Sequence, residues 1–184
     1  NYPSIVPEFF GDFVLVNGMA WPKFDTDPGE YRFHLLNGSD SRFYVLQPDN
    51  PYVKITLIGS DGGLLPKAVT VIDGDGVQEP GEQLLLSPGD RADVVFDFSA
   101  PQLRGQSVTL LNSGPAYEPF KGLAPDGSLA GGVQAAQPSD TVGQVMRFNI
   151  GQVDLSPNVA TVADGTVLNR NRRTVVLRNP VQES

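Results

Sequence analysis

The 184-residue chain carries 13 Lys and Arg against 21 Asp and Glu, for a formal net charge of −8 and a sequence pI near 4.5, and 40% of its residues are hydrophobic. That balance opposes nucleic acid and an anionic membrane surface as main partners, while supplying enough apolar material for a packed core. With no Cys there is no disulfide, thiolate metal ligand or thiol nucleophile. The 20 Gly and 16 Pro, spread between short apolar runs, read as an all-β chain with many turns.

The first strand signal is Phe13-Val14-Leu15-Val16, followed by Asn17-Gly18, a dipeptide suited to the positive φ angles of a tight hairpin. An acidic turn is expected over 25–29. Beyond it, Tyr31-Arg32-Phe33-His34-Leu35 alternates with period two, which places Tyr31, Phe33 and Leu35 on one face. Asn37-Gly38-Ser39-Asp40 turns the chain, and 42–46 and 52–58 are further strands bounded by Pro48, Pro51 and Gly59. Asp61-Gly62-Gly63 is a turn before a short strand over 68–72. Strands over 83–86 and 92–98 flank the turn Ser87-Pro88-Gly89-Asp90, and 107–111 and 145–150 complete a set of nine or ten. No helical period separates them, so the spacing suits a Greek-key sandwich better than a parallel α/β sheet. Residues 113–143 lack a durable apolar period and are expected to form a long exposed loop. Residues 151–172 read as a linker, and Thr174-Val175-Val176-Leu177 is a strand with little sequence after it.

The site chemistry is dominated by what is missing. His34 is the only histidine, so one copy of the chain cannot build a three-histidine zinc site, a two-histidine thiolate copper site or a facial iron triad. Its polar-phase position reads as a solvated or hydrogen-bonded strand histidine. No Gly-x-Ser-x-Gly elbow, phosphate loop or dinucleotide fingerprint is present. Paired carboxylates remain available for glycosidase-like chemistry, although most acids fall at turns. Asp73, Asp75, Glu79 and Glu82, interleaved with glycines, form a candidate calcium loop without the full EF-hand spacing.

Several phrases resemble a known family. Gly11-Asp12-Phe13-Val14-Leu15-Val16-Asn17-Gly18, Trp21-Pro22, and Tyr31-Arg32-Phe33-His34-Leu35-Leu36-Asn37-Gly38-Ser39 are similar to the second cupredoxin-like domain of three-domain multicopper oxidases. The likeness is to the bacterial spore-coat laccase and bilirubin oxidase branch. Ile58-Gly59-Ser60-Asp61-Gly62-Gly63-Leu64-Leu65, and the stretch over 84–98 around Ser87-Pro88-Gly89-Asp90-Arg91-Ala92-Asp93, agree in the same order. Residues 5–112 carry the resemblance well, 145–150 plausibly, and the acidic loop and 113–143 poorly.

The resemblance implies a cupredoxin-like Greek-key sandwich or barrel over 1–150, an interdomain linker over 151–172, and over 173–184 the opening strand of a third domain. It implies a parent oxidase that takes electrons from phenolic or tetrapyrrole-type substrates and reduces dioxygen to water, with copper in its outer domains. Those first and third domains would be this domain's partners. The parent's compartment stays open among periplasm, exterior and spore surface. No copper-ligand position of the family carries over to any residue here. Trp21, Arg32, Arg42, Asp61 and Arg91 are then expected to be scaffold or interdomain contacts. Two other readings stand beside this one: a free-standing sandwich that binds carbohydrate or protein, and a small hydrolase using carboxylates.

Overall fold

The computed structural model describes residues 7–153 and 161–168. Eleven strands are found among them, with two short 3-10 turns at Pro101–Leu103 and Ala130–Gly132. A small hairpin pairs β1 (Leu15–Val16) with β2 (Met19–Ala20). Its turn residues Asn17 and Gly18 take φ of 51° and 84°, the left-handed pair that Asn-Gly favours.

The remaining strands are β3 (Lys23–Thr26), β4 (Glu30–Leu36), β5 (Tyr44–Pro48), β6 (Lys54–Ser60), β7 (Gly63–Ile72), β8 (Leu84–Leu86), β9 (Arg91–Asp97), β10 (Ser107–Asn112) and β11 (Gln144–Ile150). They form two sheets, ordered β3-β11-β10-β5-β8 and β4-β9-β6-β7. Every pair is antiparallel except β3 with β11, and the crossings between sheets give the sandwich its connectivity.

Alternation decides which side chains meet between the sheets. Ala92, Val94 and Phe96 of β9 point inward, as do Val108 and Leu110 of β10 and Phe148 and Ile150 of β11, and all are buried. Aromatic rings link the two layers: Phe98 and Phe148 have centroids 5.0 Å apart, and Phe96 lies 5.6 Å from Phe148. Fully burying each such ring stabilises the fold by about 1.5–3 kcal/mol, with about 0.5–1.5 more from each well-placed ring pair.

Three expectations change. The acidic turn expected over 25–29 starts later, because Asp25 and Thr26 are drawn into β3 by parallel pairing with Asn149 and Ile150. Strand β7 begins at Gly63, well before residue 68, and runs through Pro66. It lies at a sheet edge, where a missing N–H is tolerated, and Pro66 still accepts a bond from Leu168 N at 3.1 Å. The 113–143 stretch is an irregular loop, but it folds back on the sandwich and buries Ala116, Val133, Ala136 and Val142. Composition could not show this, because the anchor is Asn112. Its Oδ1 accepts from Val45 N at 3.0 Å and Gly114 N at 2.9 Å, while its Nδ2 donates to Val142 O at 2.9 Å.

Residues 161–168, within the stretch read as a linker, lie along the outer edge of β7. Ala68 N donates to Thr166 O at 2.8 Å, Thr70 N donates to Asp164 Oδ1 at 2.8 Å, and Val162 and Leu168 pack on Ile58, Ala68 and Val95. The strand expected at 174–177 lies outside the described residues.

Candidate functional site

The outer face of the four-stranded sheet gathers three of the five residues singled out as scaffold or interdomain contacts. Arg32 on β4 and Asp93 on β9 are brought together by register, since His34 is paired with Asp93 and Arg32 with Val95. Arg32 Nε donates to Asp93 Oδ1 at 2.8 Å, and Nη2 donates to Oδ2, a two-pronged contact. His34 Nδ1 lies 3.5 Å from the same Oδ1. Gly59 makes this approach possible, because a Cβ there would meet Asp93 Cβ and Gly63 O at 3.0 Å each.

A second pair sits beside the first. Asp61 Oδ1 accepts from both the backbone N and the Nε of Arg91, each at 2.9 Å. Both pairs line a shallow concavity of about 390 Å³, together with His34, Leu36 and Leu64. Arg32's hydrogen bond, followed by its charge, holds the Asp93 carboxyl below the usual range, and Arg91 does the same for Asp61. The cationic and anionic groups therefore satisfy one another.

Arg42 lies elsewhere and is buried. Its Nη1 donates to Pro115 O at 2.9 Å and to Ala116 O, and its Nη2 donates to Gly11 O at 2.7 Å. The rings of Phe10 and Tyr117 lie 5.7 and 5.6 Å from its guanidinium carbon. Desolvation lowers its pKa. Arg42 thus clamps the segment before β1 to the long loop, a scaffold role.

Trp21 stands at the five-stranded sheet, with φ of 45° and its Nε1 donating to Thr141 O at 3.0 Å. It borders an open groove of about 450 Å³ that Lys23, Thr109, Gln144, Arg147 and Asn149 also line. Lys23, Thr109 and Arg147 escaped the sequence reading because they meet only through the β3–β11–β10 register. The polar phase of β11, with Arg147 and Asn149 on either side of buried Phe148, was the available signal.

The acidic loop uses its carboxylates on its own backbone. Glu82 accepts from Asp73 N at 2.9 Å and Glu79 N at 3.1 Å, Asp73 accepts from Asp75 N at 3.0 Å, and Asp75 accepts from Val77 N at 2.8 Å. Among the described residues, no three His, Cys, Asp or Glu side chains converge as a metal site would require. The donor set does not fit copper either: the whole sequence offers one histidine and no cysteine. That histidine's side chain is 75% exposed beside Asp93.

Two facing sheets with this strand order and this long loop define a cupredoxin-like β-sandwich domain. Comparison with known proteins narrows the class. No family model matches the chain. The chain is 42% identical to the laccase of Bacillus subtilis (strain 168) over 111 residues, covering 60% of this chain and 19% of the laccase. It is 32% identical to Multicopper oxidase LPR1 homolog 5 of Oryza sativa subsp. japonica over 161 residues, covering 86% of this chain and 22% of the relative. The laccase of Pediococcus acidilactici Pa5930 superposes with a TM-score of 0.58 at 25% identity, covering 94% of this chain and 28% of that one. The McoA multicopper oxidase 2F4 variant of Aquifex aeolicus has the same fold, with a TM-score of 0.63 at 23% identity over 99% of this chain and 33% of its own. The chain belongs to the multicopper oxidase family, and it spans about a fifth of the length of the curated relatives it matches.

Proposed function

We propose that this chain is a copper-free middle domain of a longer multicopper oxidase, a spacer that holds copper-bearing outer domains in register without itself catalysing oxidation. The observation that carries this reading is the donor inventory. Family chemistry draws on paired histidines and a cysteine thiolate, and one surface histidine with no cysteine supplies neither. In the parent, copper in the outer domains would accept electrons from a phenolic or tetrapyrrole-type substrate and pass them to dioxygen.

Two surface features support a spacer. The hairpin region exposes Phe13, Leu15 and Met19 by 59–64%, apolar area of the kind that neighbouring domains cover. The Arg32–Asp93 and Asp61–Arg91 pairs give the opposite sheet a charged face of fixed geometry, which suits a polar domain contact. Determining the reading frame on either side of this segment tests the proposal. His-x-His and His-Cys-His clusters in the flanking sequence are expected. A frame that encodes this domain without such clusters would make it an independent module.

A further inference from the structure

The groove beside Trp21 is not used by the spacer reading and does not depend on it. Lys23 of β3 and Arg147 of β11 are direct register partners, with Thr109 of β10 next in the same row. Neighbouring strands lie about 4.8 Å apart, so two like charges stand side by side, an arrangement that costs stability unless something offsets it. Among the described residues, neither cation has a carboxylate within 4.0 Å. Asp25 in the next row accepts instead from Asn149 Nδ2 at 2.6 Å. This uncompensated positive row occurs in a chain of net charge −8.

The rest of the lining is amphipathic and hydroxyl-friendly. Trp21 is 42% exposed, its indole fixed at one end by Thr141 O and flanked by Phe13 at 5.6 Å. Its left-handed φ is uncommon for a bulky residue, and such backbone geometry concentrates at functional positions. Thr109 places its hydroxyl and Gln144 its Oε1 along the same open groove beside Met146, whereas Gln144 Nε2 donates to Pro138 O and the Asn149 amide is engaged by Asp25 and Ser107. From these groups we propose that the outer face of the five-stranded sheet is a binding site for an anionic saccharide, a short chain of uronic acid units. The apolar face of one pyranose lies on the indole, the carboxylates of successive units bind Lys23 and Arg147, and the hydroxyls bond to Thr109 and Gln144. A protein partner fits less well, because lysine is depleted at protein interface cores.

Trp21 is the only tryptophan in the sequence, so indole emission reports on this groove and the adjoining Phe13, and the titration is run at concentrations where the chain sediments as a monomer. Titration of the 184-residue chain with trigalacturonate should change that emission saturably, with a Kd on the order of 1 mM or tighter. Arg147→Gln and Lys23→Gln should each weaken binding about tenfold without altering the far-UV circular dichroism of the native sandwich. Both side chains are exposed, and either variant alone suffices if the other fails to fold. The proposal is overturned if trigalacturonate leaves the emission unchanged. An equal response to a neutral galactose trisaccharide, or tighter binding of an oligo-aspartate peptide, would overturn it as well.

Discussion

Arg42 Nη1 lies 2.9 Å from the carbonyl oxygen of Pro115, 73 residues further along the chain, and this bond fastens the long loop to the start of β5. The guanidinium has no carboxylate partner within ion-pair distance among the described residues. It relies on the carbonyls of Pro115, Ala116 and Gly11 and on the rings of Phe10 and Tyr117. Truncation would leave buried carbonyls unsatisfied and open a void. Arg42→Ala is therefore expected to destabilise the fold by about 2–4 kcal/mol, read from urea unfolding, and to expose the 113–143 loop to limited proteolysis. A midpoint equal to wild type would contradict the clamp.

Acid should act on two carboxylates in opposite directions. Asp93 has its pKa lowered, first by the Arg32 hydrogen bond, so its stabilisation is complete above the unfolded value of about 3.9 and is lost as pH falls through the lower folded value. Glu30 has its pKa raised, by burial and then by Asp97, so the fold disfavours its ionised form and gains stability as pH falls through that raised value. Thermal midpoints across acid pH should separate the two. Asp93→Asn should lose up to about 1 kcal/mol at neutral pH and flatten the acid limb. Glu30→Gln, whose amide oxygen can still accept from Val162 N, should melt above wild type at neutral pH, with the gap closing on acidification.

Gly143 sits where a Cβ would come within 1.7 Å of Gln137 O. Its carbonyl also accepts from Asn112 N at 2.9 Å, so the backbone cannot retreat without breaking the join between β10 and the loop. Gly143→Ala should cost about 3 kcal/mol in chemical denaturation, at the high end for a single substitution. Gly132, where nothing lies within 4 Å of an added Cβ, should tolerate Ala with a smaller loss arising from its positive φ of 69°.

The hairpin's exposed apolar side chains should make the isolated chain self-associate. Phe13, Leu15 and Met19 are 59, 61 and 64% exposed, and Phe13 and Trp21 lie together. Sedimentation velocity at rising concentration should show a reversible heavier species, and Leu15→Glu with Met19→Lys should abolish it. A wild-type chain that stays monomeric would contradict this.

Much of the fold was legible because it rests on local rules. The period-two run around Phe33 and the Asn17-Gly18 turn each specify their own geometry, and Asn37-Gly38 forms a turn in which Asn37 Nδ2 caps Arg42 O at 2.8 Å. The strand expected over 92–98 obeys the same period-two rule, and its Ala92, Val94 and Phe96 are buried. What escaped depends on partners far along the chain. Asp93 meets Arg32 61 residues away, β3 is a strand only because β11 lies beside it, and the loop packs only because Asn112 and Arg42 reach it. Val95 has the outward phase yet is 7% exposed, because the 161–168 segment covers it. Of the candidate site, residue types were readable, and their grouping into a paired-charge face, a buried clamp and an aromatic–cationic groove was not.

As proposed, this domain would serve a copper oxidase without holding copper. Equilibrium dialysis of the purified chain against Cu(II), followed by metal analysis, visible absorption and a phenol oxidation assay, tests it most directly. Well under one tightly held copper per chain, no blue absorption band and no turnover are expected. One or more coppers per chain with blue colour and phenol oxidation would contradict it.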